Sequence, residues 1–183
     1  MAASAWSRTS SRVVYENPWI RVREDEVLRP DGDAGIYGVV EVRHVAVFVV
    51  AVTDDDEVVL VAVDRYTTGD PASLEIPAGG SDGEEPLVAA QRELREETGL
   101  VAAQWREIGR MNALVGVSDA REVVYLAHGL TYAGGEELAA DGIVGVHRVP
   151  ISDLPERIAR GDITDASSLA AILLALASSG RLG

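Results

Sequence analysis

The chain has 183 residues, 47% of them hydrophobic, enough to bury one good core and no more than one domain with a small appendage. Its net charge of −14 argues against a basic face for a nucleic-acid backbone. The absence of cysteine excludes disulfides, thiolate metal sites and thiol nucleophiles, and no run of some 18 apolar residues offers a membrane span.

The N-terminal stretch from Met1 to Ser11 is polar, without the apolar segment of a secretory signal, so a cytoplasmic protein is expected. All sixteen basic residues are arginine, which reads as genomic base composition but still supplies bidentate partners for phosphate and carboxylate.

In chain order, Val13 to Arg29 alternates loosely and predicts strands around a bend at Pro18 and Trp19. Pro30, Asp31 and Gly32 mark a turn before a strand over Ile36 to Val42. The apolar run from His44 to Val52 predicts a strand buried on both faces, and the turn at Asp54, Asp55 and Asp56 returns it as a strand over Glu57 to Val63. Tyr66 to Ala72 reads as loop, Leu74 to Pro77 as a short strand, and Gly79 to Gly83 as a glycine-rich loop. A helix is predicted from about Pro86 to Thr98, stopped by Gly99. Further strands follow over Ala102 to Arg110, Glu122 to Thr131 and Ile143 to Val149. Two helices close the chain, Ile151 to about Arg160 and Asp165 to Ser178, the second with Asp165 as its N-cap. The expected architecture is α/β, a mixed sheet between helices.

The helix ending at Gly99 carries the chemistry. At roughly 100° per residue, Glu93, Glu96 and Glu97 share a sector of about 100°. Their like charges should repel by a few tenths of a kcal/mol per pair. Glu96 and Glu97 also sit in the last turn, where the helix dipole favours cations instead. Two local rules are thus broken at one place, which tends to mark function. A divalent cation would reverse the cost, since hard Mg²⁺ prefers carboxylate oxygens. Taken alone, the run Arg92-Glu93-Leu94-Arg95-Glu96-Glu97 also fits a solvated helix face, with Arg92 pairing Glu96 one turn on.

The surrounding spacing resembles the signature of the Nudix hydrolase family: Gly, five residues, Glu, seven residues, Arg-Glu, an aliphatic, any residue, Glu-Glu, any residue, Gly, an aliphatic. Here Glu84 is followed after seven residues by Arg92-Glu93, Leu94, Arg95, Glu96-Glu97, Thr98, Gly99 and Leu100. Every position from Glu84 onward matches; upstream, four residues rather than five separate Gly79 from Glu84. The resemblance implies a Nudix-type α/β/α sandwich with a mixed sheet and a small N-terminal strand subdomain. It also implies Mg²⁺, with Mn²⁺ as a substitute, held by Glu93 and Glu97, with Glu96 as a further ligand or an orienter of the attacking water. Ala78 would lend a backbone carbonyl to the metal, and Arg92 and Glu84 would hold helix and loop together.

Outside the signature, Leu74-Glu75-Ile76-Pro77-Ala78-Gly79, Val63-Asp64-Arg65-Tyr66, Gly161-Asp162-Ile163-Thr164-Asp165 and Tyr15-Glu16-Asn17-Pro18-Trp19 resemble the ADP-ribose and ADP-sugar pyrophosphatases. That likeness implies a dimer-forming N-terminal subdomain over residues 1–42 and a hydrolase domain over 43–183. The implied substrate is a small nucleoside diphosphate derivative, ADP-ribose or an ADP-sugar first, with no nucleic acid or membrane partner. A nucleoside triphosphate, another sugar nucleotide, or ligand sensing without catalysis are the alternatives. Arg65, Tyr66, Glu75 and Asp119 are the expected substrate-binding residues. For Arg65 a surface cation, for Glu75 a strand-end salt bridge and for Tyr66 core packing are equally open. The stretch after the signature departs from that subfamily, with Val115 in place of a proline and Ala120 in place of a glutamate. The glutamate expected as base in a later loop is displaced, and the nearest candidates are Glu136, Glu137 and Asp141, each more readily read as a solvated loop acid.

Overall fold

The computed structural model describes residues 4–136, 138 and 142–180. In chain order the elements are β1 (Ser7–Glu16), β2 (Ile20–Leu28), β3 (Ala34–Val42), β4 (Ala46–Ala51), β5 (Glu57–Arg65), β6 (Asp70–Glu75), β7 (Ala78–Gly80), α1 (Pro86–Thr98), β8 (Leu100–Asn112), β9 (Ser118–Asp119), β10 (Arg121–Tyr132) and β11 (Ile143–Pro150). A 3₁₀ turn (Ile151–Asp153) then leads into α2 (Leu154–Arg160), and α3 (Ala166–Ser178) follows. Among the described residues no helix is long and apolar enough to cross a membrane.

The chain divides into two compact units, 1–45 with 112–121, and 46–111 with 122–183. The first is a sheet of order β1-β2-β3-β9, in which β1, β2 and β3 form an antiparallel meander and β9 adds in parallel at Val40 and Glu41. The bend at Pro18 and Trp19 is where it was expected, and Asn17 organises it: its Oδ1 accepts the amides of Trp19 and Ile20 at 2.9 and 2.8 Å.

The second unit holds two sheets, β7-β4-β10-β8 and β11-β5-β6. The apolar run of β4 is buried from Val47 to Ala51 and lies parallel to β10 and antiparallel to β7, which makes the sheet mixed. Phe48, Val50 and Val52 join one apolar cluster with Ala171, Ile172 and Ala175 of α3. Because successive side chains alternate, Val47, Val49 and Ala51 point to the opposite face, and α1 also packs on β4. Helices therefore cover both faces of β4, as a sandwich requires. The Asp54–Asp56 turn is the hairpin between β4 and β5, closed by Thr53 N–H to the Glu57 carbonyl at 2.9 Å.

Gly79 to Gly83 is not all loop. Ala78–Gly80 is a short strand paired with Ala46–Phe48, because the backbone of these residues completes the edge of the β4 sheet. Likewise, the loop expected over Tyr66 to Ala72 ends early, with β6 starting at Asp70 and pairing with β5.

Candidate active site

Helix α1 begins with Pro86 in its first turn and ends at Gly99, whose φ of 70° and N–H to the Arg95 carbonyl at 2.8 Å close the last turn. Its inward face buries Ala89, Ala90 and Leu94 and, with them, Glu93 and Glu97. The apolar packing thus carries two carboxylates into the space beside β7. Glu97 Oε2 accepts the Ala78 amide at 2.9 Å. The Glu93 carboxylate lies on Gly79, where a Cβ would fall 2.2 Å from Oε1. Only glycine leaves that space open.

Arg92 ties the group together. Its Nη1 donates to Glu93 Oε1 at 2.8 Å and to Glu96 Oε2 at 3.0 Å, its Nε to Glu84 Oε2 at 2.9 Å, and its Nη2 to the Gly80 carbonyl at 2.9 Å. Burial alone would lower the Arg92 pKa, but the hydrogen bonds to Glu84 and Glu96 and the charge of Glu93 outweigh it and raise the value. The repulsion expected between Glu93 and Glu96 is therefore offset by one guanidinium. Arg95 turns away and donates to the Gly134 carbonyl at 2.9 Å.

Glu84, Arg92, Glu93, Glu96, Glu97 and the Ala78–Gly79 backbone are thus gathered around one short strand. Their oxygen donors suit a hard divalent cation, and Gly79 leaves room for a carboxylate to meet one at the backbone. Among the described residues no three acidic or histidine side chains form a ready-made metal cage; Arg92 engages Glu84, Glu93 and Glu96, and the Ala78 amide engages Glu97.

On the other side of Ala78 and Gly79 opens a cleft of about 510 Å³. Arg65, Thr67, Thr68, Asp70, Ser73 and Glu75 line it, together with Thr164, Asp165 and Ala166 ahead of and within the start of α3. Arg65 and Glu75 pair as a fork, Nε to Oε1 at 2.9 Å and Nη2 to Oε2 at 2.6 Å. That bond is the main reason the Arg65 pKa is raised. Glu75 is only 5% exposed. Tyr66 is 97% exposed and is not among the lining residues.

Asp119 belongs to the first unit, at the short strand β9, 3.4 Å from Arg121. Glu136 is exposed and accepts the Tyr132 hydroxyl at 2.6 Å, which lowers its pKa. Glu137 and Asp141 lie outside the described residues.

Reasoning along the sequence missed Glu122 and Ser168. Glu122 is 7% exposed and accepts the Ser167 hydroxyl at 2.9 Å; burial pushes its pKa up. Ser168 is fully buried and accepts the Ile76 amide at 3.1 Å. Neither stands in a motif, and their partners are 45 and 92 residues away, so no local signal marks them.

A mixed sheet between two helices, with a Glu-rich helix end set against a glycine strand, defines a class. Residues 42–171 match the NUDIX domain, and residues 6–40 match the nucleoside diphosphate sugar hydrolase N-terminal domain. The chain belongs to the Nudix hydrolase family. It is 35% identical over 178 residues to the ADP-ribose pyrophosphatase of Mycobacterium tuberculosis (strain ATCC 25618 / H37Rv), covering 94% of this chain and 84% of that protein. To the ADP-ribose pyrophosphatase of Bacillus subtilis (strain 168) it is 32% identical over 161 residues, covering 87% and 86%. The fold matches the crystal structure of an ADP compounds hydrolase with a TM-score of 0.83, covering 100% of both chains at 21% identity.

Proposed function

We propose that this enzyme hydrolyses the diphosphate of ADP-ribose or a related ADP-sugar, releasing AMP and a sugar phosphate, with Mg²⁺ as its cation. The observation that carries the reading is the convergence of the buried Glu93 and Glu97 carboxylates on Gly79 and Ala78, beside a cleft with a phosphate-competent arginine. The sequence relatives named for ADP-ribose point to the same substrate class.

Glu93, Glu96, Glu97 and the Ala78 carbonyl would hold the cation. When bound, it would withdraw charge from the phosphoryl oxygens and ease deprotonation of water. Arg92 Nη1 holds Glu93 and Glu96, which would turn to the cation, and Nε and Nη2 hold Glu84 and the Gly80 carbonyl independently of them. Arg92 thereby remains the brace between helix and loop. In the cleft, Arg65 is oriented by Glu75 and offers its remaining donors to a phosphate. Glu136, which accepts the Tyr132 hydroxyl, is the candidate for the base among the described residues. Tyr66, fully open to solvent, stands as a substrate contact made from outside the cleft wall.

The reading extends to a homodimer formed through residues 1–42. It is supported by β1, an exposed edge strand with Val13, Val14 and Tyr15 open to solvent.

The test is an assay of purified protein on ADP-ribose with Mg²⁺ and product identification. AMP and ribose 5-phosphate in equal amounts are expected, and their absence overturns the reading.

A further inference from the structure

We propose that Ser168, in the first turn of α3, is a positioning residue for the metal-carrying strand β7; the proposal rests on the reading of Ala78, Glu93 and Glu97 as the cation site.

Between Glu75 and Ala78 the chain leaves the β11-β5-β6 sheet and enters the β7-β4-β10-β8 sheet. In that crossing the backbone has no ladder to complete, and its polar groups need partners elsewhere. Three are supplied. The Pro77 carbonyl accepts the Val49 amide at 2.9 Å, the Ala78 amide donates to Glu97 Oε2 at 2.9 Å, and the Ile76 amide donates to Ser168 Oγ at 3.1 Å. Val49 anchors the crossing to β4 and Glu97 anchors it to α1. Ser168 alone among the three anchors it to α3.

The first turn of α3 is built to hold that serine still. Asp165 caps it by accepting the Ser168 amide at 2.7 Å. Ser167 is held in turn by the buried Glu122 of β10. Ser168 itself is fully buried, so no water replaces its hydroxyl if it is lost. The same stretch supplies Thr164, Asp165 and Ala166 to the cleft that Arg65 and Glu75 also line. The hydroxyl therefore fixes the distance between the cleft wall and the strand on which Glu93 and Glu97 converge. Removing it frees the Ile76 amide two residues from Ala78, whose own amide orients Glu97.

The experiment compares wild type with Ser168→Ala in three measurements: Mn²⁺ affinity by calorimetry, amide exchange at Ile76 to Gly80, and kcat and KM on ADP-ribose. The expected result is several-fold weaker Mn²⁺ binding, faster exchange of the Ile76 and Ala78 amides, and a kcat about tenfold lower with KM changed less. A variant that melts lower but keeps wild-type Mn²⁺ affinity and kcat overturns the proposal, because the hydroxyl would then be merely structural. If Ser168→Ala does not fold, Ser168→Cys keeps the volume while weakening the acceptor, and the same results decide. Wild-type protein that neither binds Mn²⁺ nor turns over refutes the cation-site reading itself; wild-type function with an unperturbed variant refutes the role of Ser168 alone.

Discussion

Gly79 shows how much one missing side chain decides. Its neighbour in space, the Glu93 carboxylate, comes so near that a Cβ would stand 2.2 Å from Oε1 and 2.3 Å from the carboxyl carbon. A methyl there must move the carboxylate or the strand, and both belong to the proposed cation site. Gly79→Ala should lower kcat on the order of 10²-fold, and Glu97→Gln and Glu93→Gln should do the same, through loss of transition-state stabilisation rather than of fold. Steady-state kinetics at saturating Mg²⁺, with circular dichroism to verify folding, check this. Near-normal turnover in any of the three would remove that residue from the site. The carboxylate trio was legible from spacing, because helical geometry turns positions 93, 96 and 97 into neighbours without further information. The Arg92 interactions were half legible. The pair with Glu96 follows from one helical turn, whereas the bond to the Gly80 carbonyl depends on how the loop folds back.

At the scale of elements, the long strands and the three helices follow from periodicity and end signals, with Pro86 and Gly99 framing α1 and Asp165 capping α3. The short strands do not. β7 and β9 have three and two residues, too few for any alternation, and they exist because an edge of a neighbouring strand needs partners. The start of β10 hides a second property, the buried Glu122, whose neutral form is favoured by burial and further by the charge of Asp165, against the opposing Ser167 hydrogen bond. A carboxyl whose folded pKa lies above its unfolded value stabilises the fold fully below the unfolded value. That contribution is lost as pH rises through the folded one. Glu122→Gln keeps an acceptor for Ser167 without the charge. The variant should therefore gain stability relative to wild type as pH rises from the ordinary glutamate range towards neutrality, and the gap should close on acidification. Denaturant melts across that range measure it; a gap that stays constant with pH would show that Glu122 carries no such linkage.

For the whole molecule, the two family matches, residues 6–40 and 42–171, run side by side along the chain, while the compact units interleave because 112–121 packs with the first. A boundary near residue 42 is what the family resemblance implies; the returning segment is not legible in linear sequence, since it is tied in by β9 pairing with β3. The exposed β1 edge bears on assembly. The proposed homodimer should sediment at twice the chain mass, and a Tyr15→Arg substitution on that edge should shift it towards monomer; a wild-type monomer at micromolar concentration would contradict the dimer. The central claim is substrate and cation together, and the catalytic helix alone does not choose between diphosphates. Val115 and Ala120 are where this chain departs from the subfamily it resembles, and a changed polar partner can alter selectivity by orders of magnitude. The most direct test is kcat/KM for ADP-ribose against nucleoside triphosphates at one Mg²⁺ concentration. A higher value is expected for ADP-ribose than for every triphosphate, and a preference for any triphosphate would rule out ADP-ribose as the principal substrate.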